Sequence, residues 1–372
     1  VYKRQPAMRA RMEALLDKAC ALTGPVARPL ASAVPGAEAR IRTLLDGGAS
    51  RSAIDAFPAV SAPGILLAQI AGAEQLRDLG LDLETALMDG HSQGILGAVA
   101  MRGGDDAPAK ALAFAFIMGA AASSDYGTTD SRSRMMSVRG LSTRELAARF
   151  PAGDAPSLAV INGRDHVVLS GTPEQLAEAQ REIENDASAY NARLERAEFG
   201  GSEMQPDFDY LDVAYPFHEQ GNEAAVEMAA EWASACGITF DNTTPRQLAQ
   251  SILMDQFDFT ATVRDVLAAG ATHLLALDPA LLRMSTQLVQ GAGVPVIDAS
   301  SPAKRDHLAR PGFTLPEAVD YSNFAPRLVT LPDGKTYTQT KFSVLTGLSP
   351  IILGGMTPTS ADGEIAVSYT HL

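Results

Sequence analysis

The spacing of apolar residues predicts helices through much of the first third of the chain. Ser61 and Pro63 open a helix whose apolar positions recur at helical intervals as far as 78, and Gly80 ends it. The elements predicted after it are a short strand at 85–89, a small-residue helix at 95–101 and an apolar helix at about 109–122. The strand at 85–89 therefore leads directly into the turn at 90–94.

Between 134 and about 197, the spacing of apolar residues changes and predicts strands as well as helices. Ser142 with Glu145, and Thr172 with Gln175, have the spacing of capping boxes, and residues 162–163 are an Asn-Gly hairpin signal. The predicted elements are strands at 135–139, 158–161, 167–169 and 190–195, and helices ending at about 150 and 183. Their β-α-β-β-α-β order predicts a ferredoxin-like insert.

Strands and helices alternate again from 211 onward. The predicted elements are a strand ending at His218, helices over 220–235 and 258–268, and strands at 273–277 and 294–297. Such alternation predicts an α/β fold with a mostly parallel sheet and helices on both faces. Prolines and weak periodicity after 300 indicate a linker, in which Asp333-Gly334 predicts a hairpin.

Composition excludes several classes of function. The chain has 372 residues, of which 46% are hydrophobic and 20% charged, and its net charge is −14. This acidity and the lack of any Lys/Arg-rich run exclude nucleic acid and anionic membranes as partners. No apolar run reaches the ~18 residues that a membrane span requires. Cys20 and Cys236 are too few for a disulfide framework, so a reducing, cytoplasmic compartment is expected.

One short motif carries candidate chemistry. Gly90-His-Ser-Gln-Gly94 has the G-x-S-x-G pattern, which places a serine on a tight turn between a strand and a helix. Ser92 needs a base to become a nucleophile, and His218, at the end of an apolar strand, is the candidate. His91 lies beside Ser92 in sequence but on another face of such a turn, which favours a structural or pocket-wall role. No His, Cys, Asp or Glu cluster has metal-site spacing. Ser92 and His218 together predict an enzyme that transfers or hydrolyses acyl groups.

A second catalytic arrangement stays open at this stage. Ser92, Asp278 and His307 have the chain order of the α/β-hydrolase triad, which predicts a serine hydrolase. His307 lies in the polar, linker-like stretch 304–307, and a hydrolase core does not need an insert at 134–200. This arrangement therefore ranks second.

These motifs together resemble the acyltransferase region of a giant type I fatty acid synthase, of the fungal β-subunit or bacterial single-chain kind. The stretches that carry the resemblance are Gly90-His-Ser-Gln-Gly94, Val160-Ile-Asn-Gly163, Val168-Leu-Ser-Gly171, Pro216-Phe-His218 and Ala271-Thr-His-Leu274. A second match, Pro350-Ile-Ile-Leu-Gly-Gly-Met-Thr-Pro-Thr359, is similar to the entry into the next domain of that family, an enoyl reductase on a TIM barrel.

The resemblance implies a transfer of acyl groups from acyl-CoA to an acyl carrier protein. Ser92 would carry the acyl group, His218 would act as general base and then general acid, and the Gln93 backbone N–H would supply half of an oxyanion hole. His91 and Asn162 would line the substrate pocket. The transferase step needs no cofactor, and the partners would be other fatty acid synthase domains in a large oligomer.

The resemblance also bears on the choice of substrate. Malonyl-selective relatives carry an arginine on the second helix after the serine, where it pairs with the malonyl carboxylate. The matching position here is Ile117 or Met118, and both are apolar. A free carboxylate buried there would lack a partner, so an uncharged acyl group, acetyl as chain starter, is expected.

The resemblance divides the chain into five segments. They are the first part of an acyltransferase core (6–133), a ferredoxin-like subdomain (134–200), the second part of the core (201–300), a linker with a hairpin (301–348) and the start of the reductase barrel (349–366). In the full parent protein, the reductase would use FMN and NADPH, with Gly355, Met356 and Thr357 touching the FMN.

One family feature is not found in this sequence. The family has an upstream Gly-Gln-Gly loop that supplies the other half of the oxyanion hole, and residues 1–50 do not contain it. Both ends of the chain also resemble translated sequencing-adapter read-through. The chain is therefore expected to be a piece of a longer protein, and a catalytically inert truncated fragment is the remaining alternative.

Overall fold

The computed structural model describes residues between 6 and 339, with gaps. The described residues are 6–45, 57–83, 85–126, 134–154, 156–194, 203–290, 292–308, 310, 313, 316, 318, 327–330 and 336–339. The helices are α1 (Pro6–Leu22), α2 (Ala27–Ala33), α3 (Ala37–Leu45), α4 (Pro58–Asp78), α5 (Ile95–Arg102), α6 (Ala107–Tyr126), α7 (Thr143–Arg149), α8 (Pro173–Leu194), α9 (Glu223–Ala235), α10 (Pro245–Leu253), α11 (Phe259–Ala268), α12 (Pro279–Leu288) and α13 (Pro302–Leu308).

Helix α6 is the centre of the main hydrophobic core. It packs against α4, α5, α9 and α1, and its alanines allow these helices to approach closely. A Cβ added at Gly119 would lie 2.3 Å from the carbonyl oxygen of Pro58 on α4. By length and composition α6 could cross a membrane, but 78% of its apolar window is buried inside the protein, as in a core helix.

The strands form one mixed sheet and two pairs. They are β1 (Met135–Arg139), β2 (Ser157–Ile161), β3 (His166–Ser170), β4 (Asp207–Tyr210), β5 (Phe257–Asp258), β6 (Leu274–Ala276), β7 (Val296–Asp298), β8 (Arg327–Thr330) and β9 (Thr336–Gln339). The five-stranded sheet has the order β4-β1-β3-β2-β5, antiparallel except for the β2–β5 pair. The pairs are β6–β7, which is parallel, and β8–β9, which is antiparallel.

The five-stranded sheet connects two cores because side chains alternate between its faces. Leu158, Val167 and Leu169 point into a smaller core. Val168, between Val167 and Leu169 in β3, belongs to the main core around α6. Val160 also belongs to the main core, because the register of β2 against β3 shifts between Leu158 and Val160. Segment 134–210 has the predicted element order β-α-β-β-α-β, and α8 is held at its start by the reciprocal Thr172 and Gln175 hydrogen bonds of the predicted capping box.

Several predicted elements are wrong, and each error has a local cause. No strand forms at 190–194, because α8 continues to Leu194; the fourth strand of segment 134–210 is β4 instead. No strand forms at 85–89, where the described residues pair with no neighbouring strand. The strand predicted to end at His218 is also absent, because Val213 and Phe217 donate backbone hydrogen bonds only two residues back, which curls the chain.

These differences change the sheet. The expected mostly parallel sheet is mixed in the described residues, with parallel pairing only at β2–β5 and β6–β7. Helix α4 begins at Pro58 rather than at Ser61, so Pro63 lies inside it. The predicted linker contains α13, and the hairpin predicted around 333–334 is present as β8–β9. The strand predicted within 350–359 lies outside the described residues.

Candidate active site

The Ser92 turn has the backbone geometry of a strained nucleophile turn. Ser92 has a positive φ of 55°, which side-chain-bearing residues rarely adopt. A 3₁₀ turn, Ser92–Gly94, leads directly into α5, and the Gly94 N–H donates to the His91 carbonyl. A Cβ at Gly90 would lie 1.9 Å from the carbonyl carbon of Gly94. The glycine therefore allows the turn to close, and the turn holds the Ser92 hydroxyl at the start of the helix.

Ser92 and His218 meet in a hydrogen bond. The Oγ of Ser92 lies 2.6 Å from Nε2 of His218. Nδ1 of His218 lies 2.7 Å from the backbone carbonyl of Asp255. Because a carbonyl only accepts, Nδ1 carries the proton, and the Nε2 lone pair accepts from the Ser92 hydroxyl. Ser92, His218 and the Asp255 carbonyl thus have the arrangement in which a base can activate a serine and an acceptor orients the base.

Burial keeps the His218 ring neutral. The residue is 2% exposed, and desolvation lowers its pKa to about 4, while the Asp255 carbonyl acts in the opposite direction and the nearby His91 adds a smaller lowering effect. Its ring lies beside Phe257, with centroids 6.0 Å apart. At neutral pH the imidazole is therefore in the form that can accept the serine proton.

His91 is turned toward a second set of polar groups. Its Nε2 donates to Oδ1 of Asn162 over 2.6 Å, and its ring contacts the edges of Phe257 and Phe259. Burial lowers the pKa of His91, so this ring is also held neutral. His218, not His91, therefore contacts Ser92. Contact of His91 and Asn162 with a substrate stays a prediction.

Asn162 extends this second set away from the serine. Its Nδ2 lies 3.4 Å from Nε2 of His166, and that nitrogen also lies 3.0 Å from the Ser137 hydroxyl. Asn162 follows β2, whereas His166 and Ser137 belong to β3 and β1. The insert thereby contributes a chain of polar side chains that ends at the residue next to Ser92.

The other predicted site residues lie in different surroundings. Gln93 is the middle residue of the 3₁₀ turn, where backbone N–H groups at a helix start are free of helical partners. Ile117 and Met118, on α6, are both fully buried. Their contact with an acyl group stays a prediction, and Gly355, Met356 and Thr357 lie outside the described residues.

The alternative Ser92–Asp278–His307 triad is wrong. The Asp278 carboxylate accepts from the backbone N–H groups of Ala280 and Leu281 and so caps α12. His307 packs edge-on against Phe313 at the end of α13. Ser92 instead contacts His218. Asp278 follows a strand because it begins a helix, and this capping role has the same sequence appearance as a triad acid.

Sequence reasoning missed the orienting acceptor. The group that fixes the His218 tautomer is a main-chain carbonyl, that of Asp255, just after α10. A carbonyl is present at every residue, so its role has no residue-type signal. The phenylalanines that enclose the two histidines were also missed, although Phe257 and Phe259 form an alternating aromatic pair that a pocket-wall search could have found.

Comparison with known proteins finds similarity to fatty acid synthases. Residues 134–210 match the family described as the fatty acid synthase central AT domain. The chain is 27% identical to the fatty acid synthase beta subunit TOXC of Cochliobolus carbonum, over 81% of this chain and 18% of that protein. The chain thus spans less than a fifth of the length of this curated relative.

Solved structures show the same fold at low sequence identity. The acyltransferase domain from the second module of the salinomycin polyketide synthase is 18% identical, with a TM-score of 0.57 over 83% of this chain and 66% of that chain. A malonyl-transacylase solved in complex with a type II polyketide synthase acyl-carrier protein is 18% identical, with a TM-score of 0.55 over 76% of this chain and 90% of that chain. The fold is therefore acyltransferase-like, and the resemblance to the fatty acid synthase acyltransferase region is confirmed.

Proposed function

We propose that this chain transfers an acyl group from coenzyme A to the phosphopantetheine thiol of an acyl carrier protein, as a step of fatty acid synthesis. The observation that carries the proposal is the 2.6 Å contact between Ser92 Oγ and a neutral His218 Nε2. The similarity to fatty acid synthase beta subunits and the acyltransferase-like fold support it.

The first half-reaction loads the serine. His218 Nε2 takes the Ser92 proton as Oγ attacks the thioester carbonyl of the acyl-CoA, forming a C–O bond and an oxyanion. The Gln93 N–H is placed to stabilise that oxyanion. When the C–S bond breaks, the leaving thiolate takes the proton from His218. The products are an ester on Ser92 and free coenzyme A.

The second half-reaction transfers the acyl group from Ser92 to a thiol. The phosphopantetheine thiol gives its proton to His218 and attacks the ester carbonyl. The C–O bond to Ser92 then breaks, and Oγ recovers the proton from His218. Throughout both halves the Asp255 carbonyl holds Nδ1–H, so that the ring presents the same nitrogen to each partner.

A serine hydrolase using the same pair is the competing function, with water as the final acceptor. The burial of His218 and the aromatic rings around it favour the transferase, because water that reaches the ester would consume it. A catalytically inert chain is the third alternative, because residues 1–50 contain no Gly-Gln-Gly segment and the loss of one oxyanion donor costs about 10²–10³ in rate in other enzymes.

The acyl group proposed is acetyl. Ile117 and Met118 are buried and apolar, and neither could neutralise a malonyl carboxylate. The finer domain assignments are proposals of the same kind. The β-α-β-β-α-β segment 134–210 is a ferredoxin-like insert with the strand order β4-β1-β3-β2. The reductase entry at 349–366, with its FMN and NADPH, and a cytoplasmic location rest on the sequence alone.

The decisive experiment is acyl loading read by intact mass. The chain is incubated with acetyl-CoA or malonyl-CoA, with Ser92→Ala as the control, and the loaded protein is then mixed with pantetheine. The expected result is an acetyl adduct that is absent in the variant, forms faster than the malonyl adduct, and passes to pantetheine faster than to water.

Three other results would change the assignment. Faster release of free acetate than of acetyl-pantetheine would identify a hydrolase. Faster malonyl loading would overturn the acetyl proposal and leave the transferase. Absence of any adduct in a folded chain would favour the inert fragment, and addition of an upstream Gly-Gln-Gly segment would then be expected to restore loading.

A further inference from the structure

One buried side chain joins the two segments that build the His218 site. Nδ2 of Asn222 donates to the Pro216 carbonyl over 2.7 Å and to the Leu253 carbonyl over 2.6 Å. Asn222 is completely buried. Pro216 lies two residues before His218, and Leu253 lies two residues before Asp255. The Asn222 amide therefore bridges the backbone beside the base to the backbone beside its orienting carbonyl.

The position of Asn222 in sequence makes this use of the side chain unexpected. Asn222 is the N-cap residue of α9, where an asparagine oxygen ordinarily accepts from the first turn of the helix. Here the side chain makes no such cap bond. Its Oδ1 is buried and finds no partner among the described residues. A buried polar atom without a partner is costly, so helix stability alone does not explain this arrangement.

The orientation of the amide is fixed by chemistry. Nδ2 faces two carbonyl oxygens, and a flipped amide would place Oδ1 against the same two acceptors. Both protons of the amide are therefore used in the bridge. A leucine of similar size would fill the same space without making either bond.

The bridge acts where the backbone needs support. His218 has a positive φ of 59°, which a non-glycine residue adopts only when its surroundings hold it there. On one side of His218, Asn222 binds the Pro216 carbonyl; on the other, the Glu219 N–H donates to the Leu253 carbonyl over 3.1 Å. The Leu253 carbonyl, at the end of α10, thus accepts from both the Glu219 N–H and Asn222 Nδ2.

We propose that Asn222 is a positioning residue for His218: it fixes the separation of the His218 loop and the Leu253–Asp255 segment, so that Nδ1–H meets the Asp255 carbonyl and Nε2 faces Ser92. This inference rests on the proposed role of His218 as the base for Ser92. It adds a residue that bonds to the backbone on either side of the site, at Pro216 and Leu253.

The first test reads the histidine tautomer directly. In Asn222→Leu, ¹⁵N spectra of histidine side chains are expected to show His218 losing its single Nδ1–H form and becoming a mixture of tautomers. The matched control is Asn191→Leu, because Asn191 also holds a loop by two bonds, to the Met204 N–H and carbonyl, but within the insert. The control is expected to keep the Nδ1–H form.

The second test measures Ser92 reactivity without any acyl-CoA. Phenylmethylsulfonyl fluoride modifies serines that a base activates, and its reaction with Ser92 is followed by intact mass. Asn222→Leu is expected to slow this reaction about 10-fold or more, and Asn191→Leu less than about 2-fold. If acetyl-CoA fails to load the wild type but the sulfonyl fluoride still distinguishes the two variants, the proposed function fails and the positioning role stands.

A wild-type rate and an unchanged Nδ1–H signal in Asn222→Leu would overturn the proposal. If Asn222→Leu does not fold, Asn222→Ala replaces it, with the same expectations. The wild-type chain supplies a further criterion that no variant can obscure. Its Asn222 amide protons are expected to exchange with solvent far more slowly than those of exposed asparagines, and rapid exchange in the folded chain would show that the bridge is not formed.

Discussion

At the scale of single residues, the backbone strain in the described structure is concentrated on Ser92 and His218. Ser92 and His218 are the non-glycine residues with positive φ in the part of the chain that the structure describes. Each such backbone costs about 1–3 kcal/mol and persists only when neighbouring groups hold it. The turn at Ser92 is held by the close approach of the Gly90 and Gly94 backbones. The backbone at His218 is held by two hydrogen bonds to the Leu253 carbonyl, from Asn222 Nδ2 and the Glu219 N–H.

A methyl group at residue 90 tests the first of these constraints. Gly90→Ala would place Cβ 1.9 Å from the Gly94 carbonyl carbon, so the turn must open and Ser92 must move from His218. Ser92 loading is expected to fall about 100-fold, the usual cost of a displacement of roughly 1 Å at a reacting group. Gly104→Ala is the control, because nothing lies within 4 Å of a Cβ there. Loading within a few-fold of wild type in Gly90→Ala would contradict this account.

The pH dependence of loading tests the electrostatics of the base. Burial lowers the pKa of His218 to about 4, and only the neutral ring can accept the Ser92 proton. The loading rate is therefore expected to stay level as pH falls from 8 to about 5 and to drop only near 4, with circular dichroism confirming that the chain is folded at each pH. An acid limb near 6.5, the ordinary histidine value, would mean that water reaches the ring.

The acyl preference can be tested with a single cation. The two variants to compare are Ile117→Arg and Met118→Arg. The arginine that reaches the bound acyl group is expected to raise the ratio of malonyl to acetyl loading by about 10-fold, through a bidentate pair with the malonyl carboxylate. The other is expected to destabilise the core without changing the ratio, because both positions are fully buried. Met118→Leu is the size-matched control. An unchanged ratio in both folded arginine variants would remove the argument for acetyl from this helix.

At the scale of elements, close packing of α6 on α4 sets the position of the helices behind the site. Gly119→Ala places a methyl group 2.3 Å from the Pro58 carbonyl oxygen, and a backbone atom cannot move aside as a side-chain end could. We expect the free energy of unfolding to fall by about 1–3 kcal/mol, as in other overpacked cores. Urea denaturation measures it, with Gly104→Ala again as the control. A change of less than a few tenths of a kcal/mol would show that the helices separate easily.

The elements that local pattern predicted well are those whose ends are fixed by local chemistry. Strand 135–139 has the predicted bounds, and α8 begins at the residue after Thr172, where the capping box predicted it. Helix α8 continues past its predicted end at about 183 because no glycine or proline, the usual helix stops, follows until Gly200. Strand 85–89 failed for another reason, since a strand exists only where a neighbour pairs with it.

At the scale of the whole molecule, the sequence pointed to the side chains of the site but not to the contacts between distant segments. Ser92 and His218 lie 126 positions apart, and their residue types alone suggested the pair that the structure brings to 2.6 Å. The Asp255 carbonyl and the Asn222 bridge had no such signal, because one is main chain and the other has the sequence position of an ordinary helix cap. The roles of Asp278 as a helix cap and of His307 as a neighbour of Phe313 likewise emerge only from the three-dimensional structure.

Histidines with lowered pKa values also predict how the whole fold responds to acid. The pKa values of His166 and His218 are both lowered to about 4 by burial, against 6.5 for an ordinary histidine. The unfolded chain therefore binds these protons at a higher pH than the folded chain, and stability must decrease as pH falls from about 6.5 toward 4 while staying level above that window. Urea denaturation between pH 7 and 5 covers the upper part of this window, where most carboxylates stay ionised. His166→Gln is expected to reduce the slope of unfolding free energy against pH in this range. A slope that is the same in wild type and His166→Gln would show that His166 does not stay neutral in the folded chain through this range.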